Sequence, residues 1–487
     1  MNRRSFLEAA SLGTAGALQS TALQNAQPAG HHVAEPAPNP RPNVLWILGD
    51  QFRAQALAAS GDPNARTPNL DRAAVNGVTF TNHVSGFPLC CPFRGSMLTS
   101  RYPHHCVPGH EYPLPEGQKT IADVFNANGY HTAYYGKWHL GGFHERDGRA
   151  AFFITDPARR GGFQTWTGYE NNNSQWDCWV HGGSGFSAFH YRLPGYETDE
   201  LTNLLIGYLK ERAAERKGAG AGAAKPFFAV MSVQPPHDPY VAPEGFMANY
   251  NPERIELRAD VAHVPRLEQQ VRRDLAGYYA MIENLDWNYG RVVQTLEQTG
   301  LLPDTHIFFF ADHGDMHGSH GMLRKICPFE ESIRTPYIIS GGQPRYQPWA
   351  TGRMPVVSNH VDIAPTTLGL CGIPKPAWME GTDLSHHRIS NKPAAGPEPD
   401  SAFLQCVVVP DQLDTPNTPY RGVVTRDGWK YVCFEGRSWL QFNLNDDPFE
   451  EINLAQLNRY RPERKKLIAR VKQWVADTGD RFGVPED

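Results

Sequence analysis

A cysteine, a proline and an arginine stand at fixed spacing in the run CCPFRGSMLTSR, residues 90–101, which begins a predicted helix. The N-terminus of a helix presents free N–H groups and the positive end of a dipole to an anion. Arg94 adds a planar donor that can hold charged oxygens. The run therefore predicts an anion site that carries Cys90. The alternative is a buried Cys-Cys-Pro turn without chemistry.

Two pairs of polar residues follow buried apolar runs. Asp50-Gln51 comes after residues 43–48, and Asp312-His313 follows the run HIFFF that ends at residue 310. In open α/β sheets the carboxyl ends of the strands share one edge, where ligands bind. Two carboxylates, an amide and an imidazole at that edge, together with the side chain at position 90, make an oxygen-rich set for a divalent cation. The alternatives are a helix cap for Asp50 and a core histidine for His313.

These segments resemble the signatures of the type I sulfatases of the alkaline-phosphatase-like superfamily. The resemblance implies that a formylglycine-generating enzyme oxidises Cys90 to formylglycine, with Pro92 and Arg94 as recognition residues. It implies hydrolysis of O-sulfate esters of a sulfated small molecule or glycan, with a hydroxyl of the hydrated aldehyde as nucleophile. The cation is usually Ca²⁺ in this family, with Mn²⁺ or Mg²⁺ as alternatives, and its implied ligands are Asp50, Gln51, Cys90, Asp312 and His313.

The same resemblance supplies the remaining catalytic residues. GYHTAYYGKWHLGG is similar to the second sulfatase signature, so Lys137 would hold the nucleophile's hydroxyl and the sulfate oxygens. His139 would take the proton of the second hydroxyl, which returns the aldehyde. His237 would help to protonate the leaving oxygen, and Lys325 would contact the sulfate. The implied catalytic set is Cys90, Arg94, Lys137, His139, His237 and Lys325; in the segment after Lys325, the pattern favours structural pairs for Glu330 and Arg334.

Some positions depart from the family pattern. Gln51 stands where a second Asp is more common, His313 where Asn is more common, and Ser100 replaces a usual Gly. An Asp-Gln with Asp-His set also resembles phosphonate monoester and phosphodiester hydrolases, which stay an alternative function. One carboxylate fewer favours a shift toward Mn²⁺. A third hypothesis is a non-catalytic binder of sulfated glycans on the same fold.

One segment, residues 162–186, is dense in Trp, Asn and Gly. Aromatic faces suit both sugars and aryl groups, so the segment is a candidate lining for a substrate subsite. A surface insertion packed on its own aromatic residues explains the composition equally well. No substrate residue is therefore assigned there.

The elements that must position these residues alternate along the chain. Apolar runs predict buried strands, and amphipathic segments between them predict helices. This alternation predicts an α/β fold with a large, mostly parallel central sheet flanked by helices on both faces. Strands are predicted at 43–48, 78–84, 131–137, 226–233 and 306–310, and helices at 68–76, 119–128, 199–217 and 274–298.

The C-terminal part of the chain has a different pattern. Asp427-Gly428 lies between two apolar segments and is a strong hairpin signal. A basic amphipathic helix is predicted at 462–477, with Pro462 at its first position. We therefore divide the chain into a catalytic domain, 43–372, and a smaller α+β subdomain with an antiparallel sheet, 373–487.

The N-terminus and the composition bear on location and partners. Residues 1–30, with Arg3 and Arg4 before a mildly apolar stretch, resemble a signal for the twin-arginine translocase, and 31–42 is a Pro-rich linker. The expected location is the periplasm or outside the cell. A net charge of −5 over 487 residues argues against a nucleic-acid partner. No apolar run reaches the roughly 18 residues of a membrane helix, and eight cysteines are too sparse for a disulfide scaffold.

Overall fold

Ten strands form one sheet in the computed structural model, which describes residues 41–219, 224–342, 349–410, 412 and 415–486. The predicted signal segment and most of the linker lie outside these residues. The strands occur in the spatial order β10-β2-β9-β8-β1-β7-β3-β4-β5-β6. They are β1 (Asn43–Gly49), β2 (Val78–Val84), β3 (His131–Lys137), β4 (Thr165–Tyr169), β5 (Trp179–Gly182), β6 (Phe189–Arg192), β7 (Phe227–Val233), β8 (Thr305–Ala311), β9 (Tyr337–Gly341) and β10 (Gly352–Asn359).

The centre of this sheet is parallel. Strands β8, β1, β7, β3 and β4 run in one direction, each bonded to the next. Antiparallel pairing occurs where β9 joins β8 and β2, and in the β4-β5-β6 extension. The prediction of a mostly parallel central sheet is thus confirmed. The strands β4, β5, β6, β9 and β10 were not predicted, because several are short and only partly apolar.

Helices cover both faces of the sheet. Every residue of β1 is buried, as expected for a central parallel strand. Leu45 packs in the apolar cluster that contains α1, α4 and α6, whereas Trp46 packs in the cluster that contains α2, α3 and α8. The helices are α1 (Pro68–Asn76), α2 (Cys90–Thr99), α3 (Ile121–Ala127), α4 (Glu197–Ala219), α5 (Glu244–Met247), α6 (Pro265–Thr299), α7 (Glu330–Ile333), α8 (Ile363–Leu370) and α9 (Arg461–Asp477).

Helix α6 shows where the periodicity of the sequence falls short. It begins at Pro265 rather than at residue 274. Its first turns are largely exposed and carry few apolar residues, so they lack the pattern that reveals a helix face. Among the described residues, no helix combines the length and hydropathy needed to span a membrane.

A second sheet lies in the C-terminal part of the chain. Its four antiparallel strands follow one another in chain order. Helix α9 packs on one face through Leu467 and Val471, and the other face packs against Leu89 and Ile326. The predicted smaller α+β region with an antiparallel sheet is therefore present. Its strands are β11 (Ser401–Cys406), β12 (Tyr420–Thr425), β13 (Trp429–Phe434) and β14 (Arg437–Asn443).

Candidate active site

Adjacent parallel strands deliver polar side chains to one edge of the large sheet. Asp312 follows β8, Asp50 follows β1, and Lys137 is the last residue of β3. The loop after β7, which lies between β1 and β3, carries His237. The carboxyl ends of these four strands therefore bring together residues that are far apart in the sequence, as expected for polar residues that follow parallel strands.

Cys90 is the first residue of α2 and lies among these side chains. Its Sγ is 3.6 Å from Asp50 Oδ1, 3.2 Å from His313 Nε2 and 3.5 Å from Lys325 Nζ. All ten residues of α2 are buried. The predicted nucleophile position thus meets a carboxylate, an imidazole and an ammonium group at a helix N-terminus.

Arg94 forms ion pairs with both carboxylates of the site, Asp50 and Asp312. Its Nη2 lies 3.1 Å from Asp50 Oδ2 and 3.2 Å from Asp312 Oδ2. Its Nη1 donates to the Lys137 carbonyl and to Ser232 Oγ, at 3.0 and 2.7 Å. Only Nε has no hydrogen-bond partner among the described residues. Arg94 therefore supports the carboxylates with most of its donors.

The side chains of four predicted ligands fit a divalent cation. One donor atom from each lies within 4.8 Å of the others, and all four residues are buried. His313 Nδ1 donates to the Gly314 carbonyl at 3.0 Å, so the lone pair of Nε2 is directed to the cluster. Carboxylate oxygens with one imidazole suit a hard or borderline cation. The four residues are Asp50, Cys90, Asp312 and His313.

Gln51 borders this cluster in a fixed orientation. Its Oε1 accepts from Lys325 Nζ at 2.8 Å, and its Nε2 donates to Asp315 Oδ2 at 2.6 Å. Its backbone N–H donates to Asp312 Oδ1 at 3.0 Å. The φ of Gln51 is 67°, a left-handed conformation that is uncommon outside glycine. The carbonyl end of the amide therefore faces the site, as a metal ligand requires.

Positive charge at the site keeps Asp50 ionised. Burial by itself would raise the pKa of Asp50, but the charges of Lys137 and other nearby cations, Arg94 among them, lower this pKa well below its usual value. Lys137 Nζ lies 2.7 Å from Asp50 Oδ2. Burial and the nearby Asp50 raise the pKa of the Cys90 thiol to about 11. Unmodified Cys90 is therefore a protonated thiol at neutral pH, and a poor nucleophile.

The two histidines predicted to handle protons are neutral; His139 is buried, and His237 is partly buried. His237 Nε2 accepts from Lys325 Nζ at 2.8 Å, and its Nδ1 donates to the Asp238 carbonyl at 2.8 Å. Burial and the charge of Lys325 lower the pKa of His237 to about 3. Burial and Lys137 lower the pKa of His139 well below its usual value. Neither ring nitrogen of His139 has a hydrogen-bond partner among the described residues.

One cavity of about 370 Å³ joins the predicted residues. Its lining includes the predicted catalytic residues other than Arg94, together with Asn171 and Asn173 from the Trp- and Asn-rich segment. That segment is therefore not a detached insertion, because it contains β4 and reaches the cavity. The predicted catalytic residues in the lining are Cys90, Lys137, His139, His237 and Lys325.

Comparison with known proteins identifies the fold and family. The family model described as Sulfatase matches residues 42–373, and one described as N-sulphoglucosamine sulphohydrolase, C-terminal, matches residues 318–477. The ulvan-active sulfatase of Formosa agariphila is 34% identical over 91% of this chain and 82% of its own length. The chain belongs to the sulfatase family. It is thereby assigned to the sulfuric ester hydrolases.

Other relatives of this sulfatase cover nearly the whole chain. The choline-sulfatase of Rhizobium meliloti is 28% identical, over 90% of this chain and 88% of its own. The crystal structure of YidJ from Bacteroides fragilis superposes with a TM-score of 0.78 at 25% identity, over 93% of this chain and 99% of its own. The phosphonate monoester hydrolase of Agrobacterium radiobacter has the same fold, with a TM-score of 0.72 at 22% identity over 90% and 96% of the two chains.

Several polar residues of the sulfatase site were not found from the sequence. Ser232, which accepts from Arg94, is the polar residue inside the apolar run of β7. Asp315, which accepts from Gln51, lies three residues beyond Asp312 in the same Gly- and His-rich run. The closeness of Asp315 to the predicted ligand Asp312 was the available signal in the sequence. That Asp315 bonds to Gln51, which follows a different strand, could be identified only in the folded chain.

The predicted pair after Lys325 is present in the sulfatase. Arg334 Nε donates to Glu330 Oε2 at 2.7 Å across the short helix α7. Glu330 Oε1 also lies 2.8 Å from Lys430 Nζ on β13. These residues pack outside the cavity and connect the two sheets, which agrees with a structural role.

Proposed function

We propose that this sulfatase hydrolyses O-sulfate esters of a sulfated small molecule or glycan, with residue 90 in its formylglycine form as the nucleophile. The observation that carries the proposal is the position of Cys90 Sγ, at the start of α2 and within 3.6 Å of Asp50, His313 and Lys325. A divalent cation would be held by Asp50, Gln51, residue 90, Asp312 and His313. Ca²⁺ is the expected ion, and the single amide and imidazole among its ligands also suit Mn²⁺.

When present, formylglycine supplies a hydroxyl of its hydrated aldehyde as the nucleophile, and the cation supplies Lewis-acid stabilisation of negative oxygens. The chain's own residues bind and orient the ester. Lys137 and Lys325 line the cavity together with residue 90 and offset the charge that builds up on the sulfate oxygens. Their burial strengthens this effect, because little water competes for the charge.

Protons are handled by the two histidines. Lys325 donates to His237 Nε2, which holds that imidazole beside the ammonium group. The pair is placed to deliver a proton to the leaving oxygen. His139 is a neutral imidazole, and neither of its nitrogens has a hydrogen-bond partner among the described residues. It can therefore accept a proton inside the cavity. His139 also has a φ of 54°, and backbone strain of this kind clusters at functional positions.

Modification and export complete the proposal. Cys90 would be oxidised by a formylglycine-generating enzyme, and the Arg3-Arg4 segment would direct the folded protein through the twin-arginine translocase to the periplasm. All eight cysteines are unpaired and buried, so none requires an oxidising compartment for its folded state. A folded protein with buried thiols is compatible with this route.

The first experiment is the mass of the tryptic peptide that contains residue 90, from protein made in its native host. We expect the mass of formylglycine. Turnover of 4-nitrophenyl sulfate is then compared with that of Cys90→Ala, which should lose at least about a thousandfold in kcat. Cys371→Ala, a buried cysteine outside the cavity, is the matched control. Full turnover by Cys90→Ala would overturn the proposed nucleophile.

The departures at Gln51 and His313 favour one second candidate, a phosphonate monoester or phosphodiester hydrolase. The discriminating quantity is the ratio of kcat/KM for 4-nitrophenyl sulfate and for 4-nitrophenyl phenylphosphonate. A ratio above one supports the sulfatase proposal, and a ratio well below one supports the alternative. Binding of sulfated glycans without turnover, by protein that carries formylglycine, would support the non-catalytic binder.

A further inference from the structure

A second cavity of about 440 Å³ adjoins the active-site cavity. Glu145, Asn171 and Asn173 line both cavities and form the boundary between them. The volume is within the range of about 300–1,000 Å³ that is usual for binding pockets of small organic molecules. A substrate held at Cys90 that extends past this boundary would therefore enter a preformed space.

Asn171 presents an unused hydrogen-bond acceptor at this boundary. The residue is only 5% exposed. Its Nδ2 donates to Glu145, but its buried Oδ1 has no hydrogen-bond partner among the described residues. A buried polar atom without a partner costs about 1–3 kcal/mol, so such atoms usually face a ligand or water. A hydroxyl group of a bound molecule would satisfy this oxygen.

The turn that forms the boundary is held in place from the sheet. Gln234, directly after β7, donates from Nε2 to Asn173 Oδ1 at 2.7 Å. Its Oε1 accepts from the Asn172 backbone N–H at 3.2 Å. His237, which lines the active-site cavity, follows Gln234 in the same loop. The boundary and the catalytic loop are therefore fixed to each other, which is the arrangement a preorganised subsite needs.

The charges of the second cavity disfavour an anionic ligand. Asn172 and Ser174 add neutral polar groups to its lining. Arg149 is the cation among the described lining residues, and it is paired with Asp177 at 2.5 Å. Glu145 adds a carboxylate. A neutral, hydroxyl-bearing group fits this set, whereas a second sulfate would meet a carboxylate and no unpaired cation.

Aromatic side chains lie next to Arg149, outside the lining of the second cavity. Its guanidinium lies 5.0 Å from the ring centre of Phe152, and that ring is 5.3 Å from the ring of Trp179 in an edge arrangement. Phe152 is half exposed, at 50%. A half-exposed apolar ring next to polar groups is a surface that ring-shaped polyhydroxyl ligands can contact.

From these observations we infer that the second cavity is a subsite for a neutral sugar unit joined to the sulfated unit, so that the substrate is a sulfated oligosaccharide or polysaccharide. The inference rests on the proposed function and makes it more specific. Asn171 Oδ1 would accept from a hydroxyl of the neutral unit while the sulfate ester lies at residue 90. The neighbouring unit thus adds binding energy that a monosaccharide sulfate lacks.

The test uses the full-length protein with formylglycine at residue 90. The sulfated unit is chosen from a panel of monosulfated hexose and deoxyhexose methyl glycosides, with 4-nitrophenyl sulfate as the small reference ester. The kcat/KM is then compared for that glycoside, for a disaccharide that joins it to a neutral hexose, and for a disaccharide with a second sulfate on that hexose. We expect the neutral disaccharide to exceed the monosaccharide by about tenfold or more, and the second sulfate to remove that gain.

Two variants connect the gain to the cavity. Asn171→Leu removes the acceptor at similar size, and Ala150→Phe adds a ring to the cavity wall. Both should bring the disaccharide-to-monosaccharide ratio close to one. Asn249→Leu is the matched control. Asn249 is an exposed asparagine that donates a hydrogen bond to Glu283 and lines neither cavity, so this variant should keep the ratio. Melting temperatures of all three variants show whether each is folded.

The outcomes separate the two proposals. Turnover of 4-nitrophenyl sulfate with a ratio of one in the unmutated protein would overturn the subsite and leave the sulfatase function standing. Three other results would also overturn the subsite. The protein could hydrolyse 4-nitrophenyl sulfate but none of the saccharides in the panel, or it could prefer the doubly sulfated disaccharide. The two cavity variants could also be folded and keep the full disaccharide-to-monosaccharide ratio. No turnover of any sulfate ester by formylglycine-bearing protein would overturn the proposed function itself.

Discussion

Asp315 determines which end of the Gln51 amide faces the candidate metal site. It is fully buried and accepts from Gln51 Nε2 and from Tyr240 OH, each at 2.6 Å. His317 Nε2 lies 3.3 Å from the same carboxylate oxygen. A carboxylate only accepts hydrogen bonds, so the amide must present its NH₂ group to Asp315 and its oxygen to the site. Asp315 is therefore a positioning residue.

The first prediction concerns Asp315→Asn. The new amide can both donate and accept, so Gln51 loses the group that fixes its orientation. We expect kcat/KM to fall by about 10–100-fold and the divalent cation concentration for half-maximal activity to rise. Titration of chelator-treated protein with Ca²⁺ and Mn²⁺ measures this concentration. Asp477→Asn on α9 is the control, and lost activity with an unchanged cation requirement would contradict the positioning role.

Glu170 holds the loop that follows His139. Its carboxyl group accepts from the backbone N–H groups of Gly141 and Gly142, at 2.8 to 3.0 Å. Burial raises its pKa from the ordinary 4.5 to about 7, although these hydrogen bonds act in the opposite direction. A glutamate with such a raised pKa makes the stability of the folded protein depend on pH.

The second prediction follows from this pKa. Between pH 4.5 and 7 the folded protein keeps a proton that the unfolded chain has released, so the free energy of unfolding falls as the pH rises. The interval corresponds to about 3 kcal/mol. Glu170→Gln cannot ionise, so its stability relative to the unmutated protein should increase by up to that amount across the interval. Urea unfolding at several pH values measures it, with Glu297→Gln on the exposed side of α6 as control; a constant difference would argue against the raised pKa.

At the scale of elements, the end of α2 explains one departure from the family pattern. Ser100 caps this helix with a φ of 53°, a conformation that favours glycine. Its hydroxyl donates to the Val361 carbonyl at 2.7 Å and accepts from the Gly381 N–H at 3.1 Å. These two buried hydrogen bonds offset the backbone strain of roughly 1–2 kcal/mol. A serine can therefore end the helix that carries Cys90.

The segment from Lys325 to α7 is joined to the second sheet by a buried lysine. Lys430 on β13 is fully buried, and its Nζ lies 2.8 Å from Glu330 Oε1 and 2.6 Å from Glu450 Oε1. It also donates to the Pro328 carbonyl at 2.9 Å. The nearby positive charges of Arg334 and Lys430 lower the pKa of Glu330 to about 2 despite its burial.

The third prediction removes this cation. Lys430→Met leaves two buried carboxyl groups without their shared partner, which should cost about 3–5 kcal/mol of unfolding free energy. A lower urea midpoint would show this loss. Lys466→Met on α9 is the control, because the Lys466 side chain is 73% exposed and its pair with Glu463 contributes little. Equal midpoints for the two variants would show that the buried pair does not stabilise the fold.

At the scale of the whole molecule, the second sheet supports two of the segments that form the candidate active site. The face of the sheet opposite α9 packs against Phe87 and Leu89, just before Cys90. The same face packs against Ile326, next to Lys325, and against Ile333 at the end of α7. The C-terminal part of the chain therefore packs behind a site whose candidate ligands all precede it.

The fourth prediction concerns removal of the cation from the whole protein. Arg94 and Lys137 still neutralise Asp50 and Asp312, so we expect the chelated protein to stay folded. A cation at a hundred times its Kd adds about 2.7 kcal/mol of stability, so chelation should lower the melting temperature and abolish turnover. Scanning calorimetry before and after re-addition of Ca²⁺ or Mn²⁺ tests this. In Asp312→Asn, the change in melting temperature on re-addition of the cation should be much smaller. If the melting temperature of the unmutated protein does not depend on cations, the proposed metal site is wrong.

Much of the central fold could be predicted from local pattern. The buried strands β1, β7 and β8 were recognised because the centre of a parallel sheet requires continuous apolar runs. The strands β5 and β6 were missed because each is only four residues long and because every residue of β6 is exposed to some extent. Such strands form by pairing with neighbours, and their own residues carry little signal.

The sequence by itself determined the chemical types at the site and their places at strand ends and a helix start. Asp50, Cys90, Lys137 and Asp312 could be selected because local spacing shows where a buried strand ends and a helix begins. Only the tertiary structure decided the contacts among them and the side chains that support them, such as Asp315 behind Gln51. It also decided that the Asn171 turn borders two cavities. Those features depend on which strands become neighbours in space, and pairing over long sequence separations leaves no local pattern to read.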